Sequence, residues 1–287
     1  MAHFFGLLLG TIRLRPYVFA FFVIYLFGCS LQFGAMRALF FAAAGYLIAW
    51  GSEFSSIHNG FPYGAYYYIE KTAGIELWVK GVPLMDSASY VFLAFASYST
   101  ALLAASPLHR SKTKTLLLLD TRKTRGLVSV RALAALLFVT LDIIIDPAAL
   151  RGDRWFLGKI YGYRAAGAYF GVPISNFLGW AVVGYLMVWA FQALDRGLRR
   201  LGVKDYYGRG LPWRFMIGPA LYLSVLFFNL FITFYIGEAN IGWAGVFITL
   251  PLGWLLALLV MAGMKNAGTE AVKAHIQDFP DSLTAIR

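Results

Sequence analysis

One cysteine, Cys29, stands in 287 residues. That excludes an intrachain disulfide and a CxxC metal site. Histidine is nearly as scarce: His3, His58, His109 and His275 are scattered and share no helix face. Zinc, haem and di-iron chemistry asks for more imidazole at ligand spacing, so neither a metal nor a cofactor is expected. Charge is sparse too. Only 14% of residues are charged, against roughly 25% in an ordinary soluble domain. A GxGxxG turn, a GxxxxGK[S/T] loop and a GxSxG elbow are all missing, which removes the usual signatures of nucleotide binding and serine hydrolysis. No long polar segment, low-complexity tract or repeat interrupts the chain, so a single integral-membrane domain over 1–287 is expected.

What is abundant is apolar. Hydrophobic residues make up 60% of the chain, aromatics 17%, and the mean hydropathy is +0.66. A membrane span needs about 20 mostly apolar residues. Seven stretches qualify: 17–35, 37–53, 84–105, 127–146, 173–194, 215–236 and 241–264. The expected fold class is all-α, a polytopic transmembrane helical bundle of about seven spans. The first two spans, almost without a linker, form a tight helical hairpin. Residues 1–16 carry only a short apolar stretch. They lack a basic n-region and a small-residue cleavage site, so they read as an interfacial segment rather than a cleaved leader.

The net charge of +11 needs no nucleic acid to explain it, since basic residues collect on cytoplasmic loops. Residues 106–126 carry Arg110, Lys112, Lys114, Arg122, Lys123 and Arg125. Residues 195–214 carry Arg196, Arg199, Arg200, Lys204, Arg209 and Arg214. Two spans separate these stretches, as a shared side requires. A multi-pass protein of the cell (inner) membrane is expected, with its C-terminus cytoplasmic and its N-terminus outside. Arg13, Arg15 and four basic residues in 147–172 run against that assignment.

The acids near the membrane then fall on one side. Glu53 ends the second span, Asp86 opens the third, Asp142 and Asp146 end the fourth, and Glu238 follows the sixth. Asp142 and Asp146 are four residues apart, so they share one helix face a turn apart, and Pro147 is expected to stop the helix. Ionisable groups inside a span are costly and mark function by default. For Asp86 and Glu238 the alternative is that acids gather outside because bases are kept inside. A carboxyl group held in apolar surroundings favours its neutral form and can serve as a general acid.

Two loops accompany the acids. In GSEFSSIHNGFPYGAYYYIE (51–70), Gly60, Pro62 and Gly64 break helix. Phe61, Tyr66 and Tyr68 then form either an interfacial belt or the wall of a pocket. In IYGYRAAGAYFGVPISNFLGW (160–180), Tyr169, Phe170 and Trp180, with Trp155 just upstream, offer further rings. Asn176 sits at the mouth of the fifth span. Its amide either orients a water or carboxylate, or bonds a neighbouring helix. Tyr and Trp faces can stabilise a developing cation. These parts suit protonation of an alkene in a very apolar substrate.

At this point the motifs resemble a known family. Glu53 with GFPYGAYYY (60–68), VPL (82–84), LDIIIDP (141–147), Trp155 and YFGVPISNFLGW (169–180) are similar to the integral-membrane carotenoid hydratases. The chain departs from that pattern at MDSASY (85–90), where the family is usually apolar with a Trp. The resemblance implies cofactor-independent hydration of the terminal C1=C2 bond of an acyclic carotenoid end group to a tertiary alcohol. It also implies a carotenoid or other long isoprenoid substrate, with membrane lipids as the surroundings. On that reading Asp142, the deeper group, is the acid, and Asp146 with Glu53 handles the water, aided by Asn176. The roles stay open to exchange, because coupled carboxyls share their titration. End-group cyclisation, which also begins with alkene protonation, and a non-catalytic carotenoid or lipid carrier or transporter are the alternatives.

Overall fold

The computed structural model describes residues 2–111, 115–205 and 211–282. Lys112, Lys114 and Arg209, three of the loop cations named above, lie outside the described residues. The chain folds as an all-α bundle. A short helix α1 (Ala2–Leu14) leads into α2 (Pro16–Phe33), which Pro16 starts at a position where a missing N–H is harmless. Gly34 alone, at a φ of 99°, turns the chain into α3 (Ala35–Asn59). Strands β1 (Tyr66–Tyr68), β2 (Trp78–Val79) and β3 (Val82–Pro83) precede α4 (Leu84–Ala105). Strands β4 (Leu108–Arg110) and β5 (Leu116–Leu118) and the short α5 (Arg122–Arg125) follow, then α6 (Val128–Ala149) and β6 (Tyr161–Tyr163). The chain continues through α7 (Ile174–Arg200), α8 (Ile217–Tyr235), α9 (Ala239–Lys265) and the polar α10 (Thr269–Asp278).

Among the described residues, seven helices are long and apolar enough to cross a membrane: α2, α3, α4, α6, α7, α8 with its leading turn, and α9. Helix α4 sits at the centre and is buried on nearly all sides. Its Ser87, Ala94, Ala96, Ser97, Ser99 and Ala101 are small, which lets α2, α3, α6 and α8 approach closely. Helices α6 and α7 pack along each other. Helix α9 buries only Ile241, Gly242 and Gly245 and turns Trp243, Phe247, Leu250 and Trp254 outward, as a lipid-facing helix does.

Two helix ends differ from expectation, and both matter for the site. Helix α3 runs six residues past Glu53, because 54–59 is polar but still helical. It stops at Gly60, whose left-handed backbone donates back to Ser56 O at 2.9 Å. Pro147 does not end α6 but lies inside it. The helix continues to Ala149, with Leu150 N–H bonded to Asp146 O at 2.9 Å. A span tolerates such a proline, and beyond it Arg151 donates to Pro147 O, one of the carbonyls open at the helix end, at 2.9 Å. Three short antiparallel strand pairs, which the apolar pattern does not reveal, sit in the loops: β1–β6, β2–β3 and β4–β5.

The two basic stretches meet at one end of the bundle. Arg122 pairs with Asp205 at 2.8 Å, and Arg37 at the start of α3 reaches Asp195 at 2.7 Å and Asp205 at 2.9 Å. Arg15 proves to be no free loop charge at the other end. It is buried, pairs with Glu76 at 3.5 Å and donates to Leu157 O.

Candidate active site

At the end of the bundle away from the basic loops lies a cavity of about 130 Å³. Four spans and two loops each supply one part of its polar lining. Helix α3 brings Glu53, which is 1% exposed and accepts from Ser87 Oγ at 2.5 Å. The first turn of α4 brings Asp86, which accepts from Tyr68 OH at 2.6 Å. The last two turns of α6 bring Asp142 and Asp146, and the first turn of α7 brings Asn176. One amide nitrogen, Asn176 Nδ2, donates to both carboxyls, to Asp142 Oδ2 at 2.7 Å and to Asp146 Oδ2 at 3.0 Å. Asp146 also accepts from Tyr163 OH at 2.5 Å and from Tyr161 OH. Asp142 Oδ1 receives no hydrogen bond from the described residues.

The tyrosines come from the β1–β6 pair. Its register sets Tyr66 against Tyr163 and Tyr68 against Tyr161, with Tyr67 against Gly162. Side chains alternate faces along a strand, so Tyr66, Tyr68, Tyr161 and Tyr163 all turn to the cavity while Tyr67 stands 47% exposed. Their rings meet edge to face, 5.4 Å apart for Tyr66 and Tyr68 and 6.0 Å for Tyr161 and Tyr163. Burial first, and the neighbouring carboxyls second, push the Tyr66, Tyr68 and Tyr163 phenols well above the usual tyrosine range. They therefore remain hydroxyls, able to donate. Beneath this roof Tyr90 stacks on Trp180 at 4.5 Å, and Phe138 lies 4.7 Å from the same indole. Gly179 lets the turn after α3 pack directly on α7, since a Cβ there would stand 2.6 Å from Pro62 O and from Tyr63 Cδ1. Trp155 closes one side and is fixed by Nε1 donating to Ala148 O at 3.1 Å.

The cavity gathers nine of the thirteen residues that the sequence singles out: Glu53, Asp86, Asp142, Asp146, Asn176, Tyr66, Tyr68, Trp155 and Trp180. Four are elsewhere. Phe61 is 67% exposed on the turn after α3, where its N–H binds Asn59 Oδ1. Tyr169 and Phe170 pack on each other, and Tyr169 also packs on Phe177. Phe177 follows Asn176 by about 100° around the helix and so leaves the cavity face. Glu238 begins α9 and is held by Arg151 at 3.0 Å and by Arg154. Tyr161, Tyr163, Tyr63, Tyr90 and Ser87 belong to the lining or its first contacts and are not evident from the apolar pattern. The signal for the first two was the matching YxY spacing in both loops, which is strand periodicity. No group of three or more His, Cys, Asp or Glu among the described residues is placed to hold a metal ion.

A family model described as carotenoid biosynthesis protein matches residues 9–240. The chain is also 29% identical, over 159 residues, to bisanhydrobacterioruberin hydratase of Haloarcula japonica. That match covers 54% of this chain and 45% of the relative, so less than half of the relative's length is spanned. No solved structure matches.

Proposed function

We propose, from the premise that this chain belongs to the carotenoid biosynthesis protein family, that the cavity hydrates the terminal double bond of an acyclic carotenoid end group. The reading is carried by one observation. Two carboxyls, bridged by a single amide, face an aromatic cavity in which none of the four acids has a cationic partner among the described residues. The hydratase among the relatives supports the same chemistry.

The hydrogen bonds support one division of roles. Asp146 receives three donors, which suits a carboxylate, an acceptor with about four lone-pair sites. Asp142 keeps Oδ1 free. Asp142 therefore delivers its proton to C2 of the alkene, and the C1–C2 π electrons form the new C–H bond. The tertiary cation left at C1 lies among the faces of Tyr90, Trp180 and the tyrosine roof, whose π systems are attractive to positive charge. A water placed between Asp146 and Glu53 attacks C1 and gives its proton to a carboxylate. Transfer of one proton between the paired carboxyls restores the starting state, and the net addition is one water. In the membrane the basic end faces the cytoplasm and the cavity opens in the outer half.

Expression in a lycopene-making bacterium with mass spectrometry of the pigments tests this. Hydration adds one water per reacted end. Unchanged mass with a shifted spectrum would indicate cyclisation, and unaltered pigment would indicate a carrier.

A further inference from the structure

The cavity has a polar side and an apolar side. Helices α3, α6 and α7 supply Glu53, Asp142, Asp146 and Asn176. The opposite wall is Tyr17 and Phe21 of α2 with Val225, Phe228 and the amide of Asn229 on α8. That wall is one ring thick. Phe228 is half-buried and meets Tyr17 at 5.9 Å, Phe156 at 6.2 Å and Phe21 at 6.3 Å. Phe156 behind it is 58% exposed, and Phe227 and Phe231 on the same helix are 61% and 64% exposed. The seam is also unlatched. Tyr25 bonds α2 to α3, Ser99 with Gln32 bonds α4 to α2, Tyr222 bonds α8 to α6, and Asn176 bonds α7 to α6. Among the described residues, no hydrogen bond or ion pair joins α2 to α8.

Size adds a second argument. A cavity of about 150 Å³ in another protein takes up one benzene ring. At about 130 Å³, this one holds a single branched end group, and a full isoprenoid chain cannot be enclosed. The chain must leave through a wall. Among the described residues the α2–α8 wall carries no carboxyl and no interhelical bond, and the amide of Asn229 on it is satisfied within α8 by Val225 O at 2.9 Å.

We infer that the α2–α8 seam is the binding subsite and passage for the long polyene tail of the substrate, and that Phe228 is its gate ring. This rests on the proposed hydration reading. The end group seats against the acids while the tail passes Phe228 into the hydrocarbon of the membrane. Separation of the Tyr17, Phe156 and Phe228 rings breaks aromatic contacts and leaves the Asn229 amide on its own helix's Val225 O, so the seam can part without breaking a hydrogen bond between α2 and α8.

The test is the pigment that purifies with the protein from lycopene-making cells, compared across variants of full-length chain. Phe228→Trp thickens the gate, and Phe227→Trp, one residue away on the lipid side, is the control. Phe228→Trp is expected to lower bound pigment by about tenfold or more while Phe227→Trp matches wild type. Phe228→Ala, which removes volume and has no need to fit a larger ring, is expected to speed loss of bound pigment into empty phosphatidylcholine vesicles by about tenfold or more. Wild-type pigment content and release rate in both Phe228 variants would overturn the seam. Failure of the hydration reading is distinct: wild type would then carry pigment of unaltered mass, and the seam would still be judged by pigment content and release.

Discussion

The cavity and the basic end of the bundle handle buried acid in opposite ways. At the basic end each acid has a cation. Asp195 and Asp205 share Arg37, Arg199 closes on Asp195 at 2.5 Å, and Asp120 holds Arg125 at 2.6 Å. At the cavity end Glu53, Asp86, Asp142 and Asp146 are held by a serine, three tyrosines and one asparagine. A cation next to a carboxylate fixes it as a permanent anion. Hydroxyl and amide donors leave it free to exchange a proton. The first arrangement suits a scaffold, and the second suits proton transfer.

The contrast breaks most sharply at Asp142 and Asp146. Asp142→Asn and Asp146→Asn are each expected to lower hydrated product per folded molecule by about 10²–10⁴, the range typical of an acid or base group, with little loss of folded yield. Pigment mass spectrometry normalised to purified protein measures this. Full turnover by a well-folded Asp142→Asn would remove it as the acid.

At the other end the expectation inverts. Arg37→Met removes the buried cation between Asp195 and Asp205, which keep Arg199 and Arg122, so the expected loss lies below the about 3–5 kcal/mol of a fully broken buried pair. Thermal unfolding in detergent should show the loss, and product per folded molecule should be unchanged. An active, equally stable variant would mean that the ionic end is not the scaffold.

A finer distinction lies within the cavity. Tyr163→Phe removes one donor from Asp146, and a hydrogen bond to a charged group is worth about 1.5–3 kcal/mol. A rate loss of roughly 10- to 100-fold follows, smaller than removal of the carboxyl. Tyr67→Phe, on the outer face of the partner strand β1, should leave the rate alone, and parallel assays of the two compare the faces directly.

The smallest effect concerns the tail. His275 is buried, donates from Nδ1 to Asp120 O at 2.6 Å, and faces Asp120, Arg125 and Arg214. Burial pushes its pKa below the usual 6.5. The folded state therefore binds this proton less readily than the unfolded chain. The associated stability is present above about pH 6.5 and fades as pH falls below it. Wild type should lose stability relative to His275→Gln between about pH 7.5 and 5.5, and unfolding midpoints at the two pH values measure the difference.

The spans and the acids that close them were legible because hydrophobicity and charge are local properties. Asp142 and Asp146 announce a shared face by spacing alone, and Asn176 stands out in an apolar helix. The strand pair was hidden. Three residues in each of two loops carry too little periodicity to separate from an aromatic belt, and the partnership of Tyr66 with Tyr163 spans nearly a hundred positions. Glu238 and Phe61 misled for the converse reason. Their position along the chain matched the site, but Arg151 and Arg154 engage the first and the Gly60 turn carries the second outward. The end of α3 was misplaced because polar residues beyond Glu53 remain helical.

The β1–β6 pairing also constrains how the molecule is made. Tyr66 emerges with the first hairpin of spans, but its partner Tyr163 is synthesised only after two further spans, α4 and α6, have been threaded. Until then the acids of α3 and α4 have no complete roof and face lipid or water. A six-residue clasp can therefore close over the acids only in the second half of translation, with α7, α8 and α9 still to follow it.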